Sequence, residues 1–75
     1  MMTKLPVVSG KKIIKALSKI GYYVRSQKGS HIHLRHPHRM PLTVPDHKEV
    51  KRTTLKSILK AADISVNEFI LLLKH

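Results

Sequence analysis

The chain has 75 residues and no cysteine, which limits it to one small core and excludes disulfide staples and thiolate metal sites. Fifteen Lys and Arg against four Asp and Glu leave +11 with histidine neutral, so the expected partners are polyanions: nucleic acid or an acidic protein. No run is long enough to span a bilayer and no apolar signal-peptide core opens the chain, which makes the cytoplasm the default compartment, and the lysines are spread over several elements, which makes a membrane an unsuitable partner.

A single domain over 1–75 is expected. Met1 to Val8 reads as extended, with Pro6 discouraging an earlier helix. Ser9 is placed to cap a first helix, with Val8 and Ile13 at hydrophobic-staple positions. Ile13, Ile14, Leu17 and Ile20 form its apolar stripe. Lys11, Lys12, Lys15 and Lys19 fall within a sector of about 100° on a 3.6-residue wheel. Gly21 is the natural terminator.

Tyr22 to Gln27 is a β-branched and aromatic run, and Lys28-Gly29 turns it into a second strand. There Ile32 and Leu34 alternate with His31, His33 and Arg35. Side chains alternate across a strand, so two apolar residues back a polar face of two imidazoles and a guanidinium. Pro37 to Met40 is a further turn. Pro41 to Pro45 is a short outer strand with Leu42 and Val44 on one face and proline at both ends.

Asp46 to Arg52 reads as a polar connection. A second helix begins near Thr53 or Thr54 and turns Leu55, Ile58, Leu59 and Ala62 inward, with Lys56 and Lys60 outside and Arg52 extending their row. Ser65 and Glu68 form a capping box, with Ile64 and Phe69 as a staple, for a last helix from Val66 to about Leu73. Its core face is Val66, Phe69, Ile70 and Leu73, and Leu71 and Leu72 are surplus apolar surface for the core or for a partner. The expected fold is α+β: a helix, a three-stranded antiparallel sheet covered by helices on one face, and two helices, the last of them short.

The acid-poor composition disfavours two-metal phosphodiester cleavage, which needs clustered carboxylates. His31 and His33, with His36 and His38 beyond them, raise a metal alternative, but no helical H-x-x-x-H and no acidic partner complete a site. RNA, by contrast, carries its own nucleophile in the 2′-OH. A histidine acting as base or acid, with cations at the phosphates, suffices without metal or cofactor. His31, beside Ser30 and Gly29 at the strand's start, is the best candidate. The competing reading is that it only closes the hairpin turn. Lys28, Ser30, Arg35, Arg52, Lys56, Lys60 and the four first-helix lysines are the candidate phosphate contacts.

Several segments at their spacings resemble the HicA toxin family: Pro6 to Lys11, Gly29-Ser30-His31, His36-Pro37, Thr43 to His47, Leu55 to Ser65, and Glu68-Phe69. The resemblance implies an α-β-β-β-α fold like that of a double-stranded-RNA-binding domain. It implies the toxin of a type II toxin–antitoxin system, a ribosome-independent endoribonuclease acting on mRNA, with its catalytic histidine in the G-S-H segment, here His31. It also implies an acidic antitoxin, HicB, as partner. The chain departs from the family pattern at Thr53-Thr54, where Gly-Thr is common. A non-catalytic RNA-binding module of the same fold is the alternative. A DNA-binding reading is weaker, because no compact helix-turn-helix is visible.

Overall fold

The computed structural model describes residues 5–74. The expected extended start at Met1 to Lys4 lies outside them. The order is α1 (Gly10–Ser18), β1 (Tyr23–Lys28), β2 (His31–Arg35), β3 (Leu42–Pro45), α2 (Arg52–Ala62) and α3 (Val66–Lys74). The strands form one antiparallel sheet in the order β1-β2-β3, so the proline-flanked β3 is an edge, as its sequence predicts. No described helix is long and apolar enough to cross a membrane.

Four of the six helix ends have a local cause in the sequence. The Ser9 hydroxyl accepts from the Lys12 backbone N–H at 3.1 Å, satisfying one of the free donors of α1. The helix stops at Ser18, two residues before Ile20, and Gly21 carries the chain out with φ +106°. One correction concerns the start of α2. It starts at Arg52 rather than at Thr53 or Thr54, and Lys51 at its N-cap makes no side-chain cap. It ends at Asp63, which adopts the left-handed conformation at φ 60°. The capping box of α3 forms both ways: Glu68 N–H donates to Ser65 Oγ at 3.0 Å, and Ser65 N–H to Glu68 Oε1 at 3.4 Å.

The core lies between the sheet and the helices. Ile32, Leu34, Leu42 and Val44 come from the sheet, Ile13 and Leu17 from α1, Leu55, Ile58 and Leu59 from α2, and Phe69 from α3. The connection before α2, expected to be polar throughout, contributes Val50, which is 1% exposed and bridges to Val8 (Val50 N–H to Val8 O, 2.8 Å). On α3 only Phe69 is fully buried, Val66, Leu72 and Leu73 pack partly on the core, and Leu71 stays 56% exposed.

Tyr22 precedes β1 instead of beginning it, with its ring buried and its hydroxyl donating to Met40 O at 2.9 Å. Burial raises its pKa above the ordinary 10.0, partly offset by Arg39. The neutral phenol is therefore the form the fold favours. Its stabilising contribution is present below pH 10 and is lost as pH rises through the higher folded-state value. Tyr22→Phe should cost about 0.5–1.5 kcal/mol at neutral pH and flatten the alkaline fall in stability, as measured by urea unfolding across the alkaline range.

Candidate functional site

The register of the sheet sets which side chains share the uncovered face. Lys28, His31 and Pro45 stand opposite one another across the three strands; Ser26, His33 and Thr43 form the next row, and Tyr23 and Arg35 a third between β1 and β2. Directly paired residues project to the same side, so Lys28, His31, His33 and Arg35 lie on the face away from Ile32 and Leu34. The pairing shifts by one residue between Val24 and Ser26. Arg25 is the extra residue of this bulge, and it lines a shallow hollow with Arg35, Ser26, His33 and Thr43.

His31 is exposed, and among the described residues its ring makes no hydrogen bond. It borders an open groove of about 430 Å³, whose other walls come from Thr43 and Pro45 of β3, the connection His47 to Lys51, and Thr54 of α2. Glu49 is the one carboxylate among those lining residues. The groove's shape depends on a close approach. Gly10 N–H donates to His47 O at 2.9 Å, and Asp46 N–H donates to Ser30 O at 2.7 Å. A Cβ on Gly10 would stand 2.0 Å from Pro45 O. Only glycine lets the start of α1 press so near the end of β3.

Two further histidines are held by partners. His36 Nε2 lies 2.7 Å from Ile20 O, and its Nδ1 lies 2.9 Å from the His38 backbone N–H. A carbonyl only accepts and an amide N–H only donates, so these partners assign the proton to Nε2. The ring meets Tyr22 edge-on at 4.9 Å, so His36 is a structural pin. His33 Nδ1 is 3.2 Å from Thr43 Oγ1. Among the described residues no three His, Asp or Glu side chains converge where a metal ion would be held.

The candidate cations occupy separate surfaces. Lys12, Lys15 and Lys19 line a groove of about 370 Å³ where α1 meets α3, and Lys19 Nζ donates to Leu72 O at 2.5 Å. Lys11 is exposed but outside that groove. Lys56 and Lys60 line a different hollow between α2 and α3, shared with Asp63 and Glu68. Arg52 Nε donates to Leu5 O at 2.7 Å, which ties down the segment before α1. Lys28 and Ser30 alone accompany His31 at the hairpin end, and Arg35 sits four residues along the strand, about 13 Å away at strand rise.

The model of the HicA toxin of bacterial toxin–antitoxin systems matches residues 10–64. The chain belongs to the HicA toxin family. That match runs from the start of α1 to Ile64, so it spans the sheet and the groove and leaves α3 outside. The fold is also similar to a chain of a toxin–antitoxin complex from Streptococcus pneumoniae, with a TM-score of 0.68 and 31% identity over 76% of this chain and 98% of that one. No curated protein matches. Within this HicA-family fold, sequence reasoning missed His47, Lys51 and Thr43 as neighbours of His31, and Arg25 as a neighbour of Arg35. The Thr43 to His47 segment carries part of the family resemblance, yet its nearness to His31 follows only from the β2–β3 register.

The Gly10 contact is testable. Gly10→Ala should destabilise the protein by about 1–3 kcal/mol, because its methyl meets backbone that has to move. Gly29→Ala meets no atom within 4 Å, so it should cost only the left-handed strain, about 1–2 kcal/mol. Urea unfolding gives both values, and the Gly10 variant alone should also perturb amide shifts at Asp46 and His47.

Proposed function

We propose that this HicA-family toxin is a metal-independent endoribonuclease acting on mRNA, that His31 is its catalytic residue, and that an acidic HicB-like antitoxin holds it inactive. The observation that carries the reading is the position of His31: exposed, free of side-chain partners among the described residues, and set on a cationic sheet face beside an open groove. An imidazole in that setting is free to exchange a proton with an RNA strand lying across β2.

The chemistry needs little else. When the 2′-OH loses its proton, its oxygen attacks the adjacent phosphorus, the 2′-O–P bond forms and the P–O5′ bond breaks. The products are a 2′,3′-cyclic phosphate and a 5′-OH. Lys28, the direct cross-strand partner of His31, supplies positive charge for the phosphorane oxygens, Ser30 offers a hydroxyl at the turn, and Arg35 at the far end of the strand can hold a neighbouring phosphate. The lysines of α1 and α2 lie on other surfaces and serve longer-range attraction to the strand. The pneumococcal relative belongs to a toxin–antitoxin complex, and a net charge of +11 suits an acidic partner here.

His31→Ala should lower RNA cleavage by about 10²–10⁴-fold while leaving the unfolding midpoint unchanged, since the residue is exposed. Wild-type cleavage should persist in EDTA and leave cyclic-phosphate ends. A folded His31→Ala protein that cuts RNA at the wild-type rate overturns the assignment, and RNA binding without cleavage by the wild type indicates the non-catalytic module.

RNA affinity should fall steeply with salt, in proportion to the phosphates neutralised. Reversing Lys28 and Arg35 together should flatten that slope more than reversing Lys56 and Lys60. With the antitoxin, added salt should slow association and leave dissociation nearly constant, which surface plasmon resonance across a salt series resolves.

A further inference from the structure

We propose that His47 is a second catalytic residue, and that His31 and His47 divide between them the two proton transfers of RNA cleavage. This rests on the reading of His31 given above and extends it from one imidazole to a pair.

Displacement at phosphorus by the 2′-oxygen expels the 5′-oxygen on the opposite side. One proton has to leave the 2′-OH and another has to reach the departing 5′-oxygen. A single imidazole held in one place serves one side of the phosphorus and leaves the other proton transfer to solvent. A second proton-transfer group in the same groove removes that difficulty, and histidine is the side chain whose ordinary pKa suits it at neutral pH.

His47 is the other histidine that lines the groove beside His31. Its backbone is held on both sides. Its carbonyl accepts from Gly10 N–H at 2.9 Å, and the preceding Asp46 N–H donates at 2.7 Å to Ser30 O, the residue before His31. Pro45, two residues earlier, is the direct cross-strand partner of His31. The loop that carries His47 is thus tied to the same strand end that carries His31, with α1 pressed against it at Gly10. Meanwhile the side chain itself is exposed and, among the described residues, makes no hydrogen bond.

Among the described residues no other histidine combines these properties. His36 has both ring nitrogens engaged, His33 is bonded to Thr43, and His38 lies outside the groove with its ring 6.3 Å from that of His36. The charged groups sharing the groove with the pair are Glu49 and Lys51, and Asp46 adjoins His47 in the chain.

The step balances without a co-reactant. One imidazole accepts the 2′-OH proton as the 2′-O–P bond forms. The other, as imidazolium, gives its proton to O5′ as the P–O5′ bond breaks. Solvent exchange restores both.

The test uses the full chain, a short RNA containing a cleavage site mapped with the wild type, and the same RNA with sulfur replacing the scissile 5′-bridging oxygen. A thiolate leaves without needing a proton, so this substrate relieves only the loss of the acid. His47→Ala and His47→Asn should each slow cleavage of the ordinary RNA by about 10²-fold or more, with unchanged unfolding midpoint and RNA affinity. The sulfur substrate should restore most of the rate to one of the two variants, His31→Ala or His47→Ala, and not to the other, which identifies the acid.

If the His47 variants cleave at the wild-type rate while His31→Ala is inactive, the pair is refuted and the single-histidine reading stands. Impaired His47 variants with lost affinity, or rescue of neither or of both, likewise refute the division of proton transfers. If His31→Ala is itself active, it is the underlying reading that fails.

Discussion

The two-sidedness of β2 is the constraint on which core and site both depend. Ile32 and Leu34 are buried at 5% and 1% exposure, while His31 and Arg35 on the same five-residue strand are exposed. Because the side-chain period of a strand is two, a slip of one residue would drive imidazole and guanidinium groups into the core and turn the aliphatic groups to water. The cost of that exchange fixes the register against β1 and β3. The register in turn sets Lys28, Pro45, Ser26 and Thr43 beside the histidines.

The histidines illustrate how partners, rather than residue type, decide what a side chain does. His36 has its ring committed to Ile20 O, the His38 amide and the edge of Tyr22, and it braces the turn after α1 close to Gly21, where a Cβ would come within 2.8 Å of its Nε2. His31 has no such commitments among the described residues and faces solvent. The same imidazole is a structural wedge in one place and a group available for proton exchange in the other.

The cationic surplus is also partly structural. Arg39 donates to Ala62 O at 2.6 Å, covering the carbonyl end of α2, and Lys19 does the same for α3 through Leu72 O. Arg52 ties the segment before α1. Of the four acids, Glu68 caps α3 and Asp63 turns the chain after α2. Asp46 is within reach of Gln27 at 3.4 Å, and Glu49 borders the groove. Two of the four acids thus sit at the His31 end of the sheet, and the positive field around the molecule comes from its overall net charge of +11.

The sequence by itself determined the elements and their order. The Ser9 cap, the Ser65–Glu68 box and the alternation in β2 are local signals that appear in the fold where the residues place them, and apolar periodicity marked the helices though not their ends. The same local logic marked the exposed face of His31. Only the tertiary structure decided what surrounds it. Val50 reads as part of a polar connection, and it is buried because the chain folds back to bridge Val8. His47 reads as one histidine in a loop, and it reaches the groove of His31 through the β2–β3 register and the Gly10 contact. The lysines that look like one stripe on a helical wheel are divided by the docking of α3 against α1, which draws Lys19 onto a carbonyl and leaves Lys11 outside the groove. Periodicity reports which face of an element is apolar; which other element that face meets depends on contacts between residues far apart in the chain, and no local spacing encodes them.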